Sequence, residues 1–137
     1  MAVVREQIIQ AIVTAHGAEY GIPAPESERD LPITIVADAP DTADPDVYAQ
    51  TNLIMPVAVA SGAVATSNDR DAMRLQAHDL LSSIITTMFT DETFGGLADG
   101  VDYTGGGVQT EVGKFVFAEA QFNIRYHHLR GDPTTID

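Results

Sequence analysis

The side chains able to do chemistry are few, and their spacing matches no reaction centre. Asp38, Asp41, Asp44 and Asp46 crowd into one short segment. Carboxylate oxygens suit calcium, a hard cation. The EF-hand spacing is absent, because no Gly follows the third acid and no Glu holds the twelfth position, so a solvated acidic loop is expected. The histidines are His16, His78, His127 and His128. His127 and His128 are neighbours on a predicted strand and point to opposite faces, so they do not chelate one ion together. His78 and Asp79 are neighbours on a predicted helix and do not face each other. There is no GxSxG, HExxH, GxGxxG or phosphate loop. Gly105, Gly106 and Gly107 lack the Lys-Ser/Thr pair that a phosphate cradle needs, and read as a hinge or turn. With no cysteine, thiolate zinc sites, disulfides and cysteine nucleophiles are excluded. Arg130-Gly131-Asp132 spells an adhesion tripeptide, but its setting before Pro133 reads as a turn leaving a strand. No catalytic residue, no cofactor and no metal is expected.

The elements that would position any site follow from hydrophobic periodicity. Residues 2–16 place Val4, Ile8, Ile9, Ile12 and Val13 on one helical face, with Gly17 as a C-terminal cap. Residues 18–30 read as a loop, 31–37 as a β-branched strand, and the Asp- and Pro-rich 38–46 as a second loop. Residues 47–60 form a strand region whose Pro56 lacks an N–H, so an edge position or a bulge is expected. Residues 61–71 read as a turn feeding a helix over 69–89, capped by Ser67 or Asn68. Leu75, Ala77, Leu81, Ile84, Ile85, Met88 and Phe89 make its apolar stripe. Residues 91–100 read as a loop and 101–104 as a short strand.

The chain's end carries the clearest pattern. From Lys114 to His128, Val116, Ala118, Ala120, Phe122, Ile124 and Tyr126 alternate with Phe115, Phe117, Glu119, Gln121, Asn123, Arg125 and His127. Period two sustained this long predicts one strand with a dry and a wet face. At ~3.3 Å per residue it spans roughly 50 Å. A compact domain of this length is about 37 Å across, from its expected radius of gyration. Either a bulge bends the strand within one molecule, or its end leaves the body and a partner chain covers its unpaired backbone. Phe115 and Phe117 on the wet face are a sticky pair. Either a partner covers them, or residues 91–97 do so with Phe94 and Leu97.

The order helix, strand, strand, helix, short strand, long strand predicts an α+β domain over 1–137. Its sheet is mostly antiparallel, with two helices packed on one face. The 137 residues carry 20 acids against 7 cations, a formal net charge of −13. Coating nucleic acid or an anionic membrane needs clustered cations that this chain lacks. Arg5 and Glu6 interrupt any N-terminal apolar run, so no signal peptide is expected, and Val47–Asn68 is too polar for a membrane span.

The early helix, the long helix over 69–89 and the ending VDYTGGGVQTEVGKFVFAEAQFNIRYHHLRGDP together resemble the tail terminator, or tail completion, proteins of long-tailed bacteriophages, the lambda-type minor tail protein U family. The likeness lies in element order across most of the chain, and the 38–46 segment departs from it. The resemblance implies a virion structural protein assembled in the host cytoplasm. It implies a homo-hexameric ring that caps the tail tube, stops its polymerisation and meets a head-completion or connector protein, with DNA passing through unbound. Phe115, Phe117, Gln121, Arg125, Phe94 and Gly105–Gly107 are then candidate contacts with neighbours. Asp38, Asp41, Asp44 and Asp46 are candidates for an acidic lumen or loop. Two other classes stay open. One is another neck component such as a stopper protein. The other is a small α+β ligand-binding or enzyme domain using Glu119, Asn123 and Arg125 in line.

Overall fold

The computed structural model describes residues 2–21, 32–43, 50–110 and 114–136. Asp44 and Asp46 lie outside the described residues. Helix α1, Val4–His16, buries Val4, Ile8, Ile9 and Ile12 at the spacing read from the sequence. Gly17 closes it in the left-handed conformation at φ 59°, where a side chain would be strained. Strands β1 (Glu19–Tyr20), β2 (Ile33–Asp38), β3 (Thr42–Ala43) and β4 (Gln50–Val64) follow. Then come helix α2 (Arg70–Thr90) and strands β5 (Gly100–Thr110) and β6 (Phe115–Leu129). The sheet runs β1-β2-β4-β6-β5, with β3 also on β4. All pairings are antiparallel except the short β1–β2 pair. This is the α+β architecture read from the sequence.

The long strand is continuous, and the structure resolves its excess length within the chain. β4 matches β6 residue for residue, from Gln50 opposite Leu129 to Val64 opposite Phe115. The strand pattern therefore runs through 61–64, where the sequence suggested a turn. β5 flanks the other side of β6 from Arg125 to Val116. Both edges of β6 are paired over most of its length, so it offers no overhang for a partner strand. The glycines belong to this pairing as well. Gly105, Gly106 and Gly107 are strand residues opposite Gln121, Ala120 and Glu119, and the only irregularity is a register shift between Tyr103 and Gly105. The hinge reading of 105–107 and the short strand at 101–104 are corrected accordingly. A run of glycines carries no alternation, yet its backbone groups pair like any others.

Pro56 lies in an interior strand, not on an edge. Its carbonyl accepts from Ala39 N at 3.0 Å, so its nitrogen faces the same side. That side is where β2 ends opposite Val57 and β3 begins opposite Ile54. The missing donor thus falls at the break between two neighbouring strands, where no ladder bond is lost.

The dry face of β6 is the core. Ala118, Ala120, Phe122, Ile124 and Tyr126 are buried against Met55, Val57 and Val59 of β4 and the apolar faces of both helices, and Val116 is buried in a second cluster with Met73 and Ala77 of α2. Phe122 sits at the centre, with edge-to-face rings at 6.2 Å to Phe89 and 5.8 Å to Tyr103. In α2 the buried track is Met73, Ala77, Ile84 and Met88. Leu75 is 62% exposed and not part of the stripe; two positions after Met73 it is turned to the opposite side of the helix. The cap of α2 is Asp69, whose carboxylate accepts from Ala72 N at 3.2 Å, rather than Ser67 or Asn68.

Candidate interaction surface

Alternation along β6 assigns every second residue of its neighbours to the outer face of the sheet. Ile33, Ile35 and Ala37 of β2 and Ile54, Pro56, Ala58, Ala60, Gly62 and Val64 of β4 stand in register with Phe115 to Arg125 of β6. Both helices bury their apolar faces in the core on the other side. Among the described residues, no element is packed over this outer face. Phe115 and Phe117 lie on it, half-buried, with ring centroids 6.0 Å apart. The cover suggested by Phe94 and Leu97 does not form, because both pack against the main core on the helix side. Phe94 instead lines a groove of about 430 Å³ with Ala11, Ala15 and Thr90. It adopts a positive φ of 50°.

The middle of the face is low and its ends are tall. Across one row stand Ile35, Ala60, Glu119 and Gly107; across the next stand Ala37, Ala58, Gln121 and Gly105. Short side chains in these rows open two adjoining troughs of about 560 and 410 Å³ that share Gln121. Glu119 is exposed, and among the described residues its one hydrogen bond is from Gln121 Nε2 at 3.3 Å. At the far end Arg125 Nε donates to Asp102 at 2.9 Å. The Arg125 guanidinium lies over Gly100, where any Cβ would collide with it. His127 Nδ1 lies 2.9 Å from both carboxylate oxygens of Asp99. Sequence reasoning missed both aspartates as partners. Asp102 lies on β5 and Asp99 just before it, and only the pairing of β5 with β6 brings them to these partners.

Asp38 and Asp41 are not a free acidic loop. Asp38 ends β2, and Arg5 pairs with both carboxylates while Nη2 donates to the Ala39 carbonyl at 2.8 Å. Tyr126 donates to Asp41 at 2.6 Å, and Tyr20 donates to Asp38. Partial burial works against the charges of Arg5 and Asp38, but the hydrogen bonds outweigh it. Those with Asp41 and Asp38 raise the Arg5 pKa, and those from Tyr20 and Arg5 hold Asp38 below the usual carboxylate range. Burial, then the bond to Asp41, pushes the Tyr126 hydroxyl above its ordinary value. The cluster ties the 38–41 turn to α1 and β6.

The remaining titratable candidates do not converge. His78 and Asp79 are both exposed on α2. His128 Nδ1 contacts the Leu129 carbonyl, away from His127. His16 is pushed below its ordinary pKa by burial, and its buried Nε2 has no hydrogen-bond partner among the described residues. No group of three or more metal-ligating side chains gathers among the described residues. No helix among the described residues is long and apolar enough to cross a membrane.

No protein-family model and no curated protein matches this chain. Among solved structures, one similar chain belongs to an assembly described as "Virion of native gene transfer agent (GTA) particle". The likeness has a TM-score of 0.47 at 12% sequence identity, over 91% of this chain and 92% of that one.

Proposed function

We propose that this chain is a virion structural protein, a ring-forming tail terminator that caps a tail tube and meets the head connector, without catalytic activity. The observation that carries the reading is the outer sheet face, which keeps Phe115, Phe117, Ile33 and Ile35 at its surface while the helices serve the other side. At ~4.8 Å between strands and ~3.3 Å per residue, β2, β4, β6 and β5 offer on the order of 700 Å² of flat face. A specific interface takes about 800 Å² from each partner. The face is therefore of the size that another subunit covers. The number six and the tube and connector partners come from the family resemblance of the chain's ending and element order.

The test is native mass over a range of protein concentrations, with negative-stain imaging of the same sample. A species near six times 14.6 kDa with a central hole supports the ring. If the free chain is monomeric, the tube protein is added and ring formation on its tip is scored. A stable dimer with no ring under either condition refutes it.

A further inference from the structure

The middle of the outer face holds a glycine that packing among the described residues does not explain. Ala60, Glu119 and Gly107 form one row across β4, β6 and β5. A Cβ on Gly107 would meet nothing within 4 Å, and its φ is not positive. Neither packing nor backbone conformation within the chain requires glycine there. Glycine weakens a strand interior, and it often marks the close approach of another group. The space in front of it is the trough of about 560 Å³, with Phe117 on one side and Gln121 on the other. Among the described residues Glu119 stands in that trough with no cation beside it, its one hydrogen bond coming from an amide.

The chain also carries a complementary group. Arg130 is exposed at the tip of the turn after β6, beside Gly131 at φ 76°. Among the described residues it makes no ion pair. Its neighbour Asp132 is taken up by the hydroxyls of Thr134 and Thr135, at 2.6 and 2.8 Å. Arg130 and Glu119 are separated by most of the length of β6, roughly 35 Å at the strand rise, so they do not meet within one molecule.

We propose that the Glu119 trough receives Arg130 of a second copy of this chain. The stem of the arginine lies over Ala60 and Gly107, its guanidinium meets the Glu119 carboxylate, and the Phe117 ring forms one wall. Arginine suits this slot because its planar fork pairs with a carboxylate and stacks on an aromatic face. The contact joins two different patches, so it is head-to-tail, the kind of interface that closes a ring. The inference rests on the ring reading and deepens it by naming the pair.

The experiment is a charge exchange read by native mass and negative stain. Glu119→Arg and Arg130→Glu each place like charges in the slot and are expected to raise the concentration for half-assembly at least tenfold. The double variant is expected to restore assembly to within about threefold of the parent. Thermal unfolding of each variant checks the fold, and Gly107→Leu, which fills the trough, is expected to block assembly without the charge change. If the parent forms rings and the single variants do too, the pairing is overturned and the ring stands. If both singles fail and the double is not rescued, the pairing is likewise overturned. If the parent forms no ring, alone or with the tube protein, the ring reading fails first and the pairing with it.

Discussion

Gly106 and Gly107 are adjacent and the same residue type, yet the structure predicts opposite responses to one added methyl. A Cβ at Gly106 would stand 2.5 Å from the Tyr103 hydroxyl, 2.7 Å from the Glu119 carbonyl oxygen and 3.3 Å from Ala120 Cα. The tyrosine hydroxyl is the end of a side chain and can move. The carbonyl and the Cα belong to the paired backbone of β6 and cannot move without disturbing the ladder. Gly106→Ala is therefore an overpacking change, expected to cost about 1–3 kcal/mol. At Gly107 the same methyl enters open space. There the loss of unfolded-state freedom dominates, and Gly107→Ala is expected to stabilise by roughly 0.4–1 kcal/mol. The two variants should thus differ by about 1.4–4 kcal/mol with opposite signs. Urea unfolding of the dilute, unassembled protein measures both, with the slope checked for constancy. A solvated hinge would accept both methyls alike. Equal stabilities within about 0.3 kcal/mol would refute the placement of these glycines in β5.

Other outcomes follow from the core and from the Arg5 cluster. Phe122→Ala removes the ring at the centre of the core and is expected to cost about 3–5 kcal/mol in denaturant unfolding. Asp38 has a folded pKa below its unfolded value, so its contribution is present above the ordinary carboxylate range and is lost as pH falls through the depressed pKa. Arg5→Met should flatten that acid-side loss in thermal melts taken from pH 6 to pH 2; an unchanged profile would remove the ion pair from the account. Tyr126 behaves in the reverse sense. Its folded pKa is raised, so its contribution holds below pH ~10 and is lost above it. Tyr126→Phe is expected to cost about 1.5–3 kcal/mol at neutral pH, the range for a hydrogen bond to a charged group, and to weaken the alkaline loss measured by calorimetry.

The dry side of this molecule was legible because periodicity reports it directly. Val4 through Ile12 and Val116 through Tyr126 each announce a buried face, and both faces are buried. What the sequence hid was pairing. The extension of β4 through Val64 runs across Ser61 and Gly62, residues that local propensity assigns to turns. Its order comes from fifteen cross-strand partners on β6. Gly105–Gly107 were obscured for the same reason, since glycine has no side chain to alternate. Asp38 and Asp41 looked like a solvated acidic run, because the cation that holds them, Arg5, stands over thirty residues away. On the outer face, Phe115, Phe117, Gln121 and Arg125 were visible from alternation. Ile33, Ile35, Ala58 and Ala60 joined them only through sheet register, and Phe94 left them because its loop folds toward the helices.

An antiparallel sheet covered on one side ordinarily follows apolar-in, polar-out alternation on every strand. Here β6 does so from Glu119 to His127, and β5 does so outside its glycines, with Asp102 and Gln109 outward. The outward residues of β2 are Ile33, Ile35 and Ala37, and those of β4 include Ile54, Ala58, Ala60 and Val64. The two strands are composed as though both of their faces were buried. Among the described residues nothing of the same molecule buries these outward side chains, since the helices that supply the core lie on the other side. Strand addition at the β5 edge explains it poorly too. β5 carries its irregularity at Tyr103–Gly105, and a bulge is a device that twists an edge away from pairing. In the proposed assembly, face-to-body contact with another subunit would cover the apolar outward residues and the low central rows together, and would leave the irregular β5 edge unpaired.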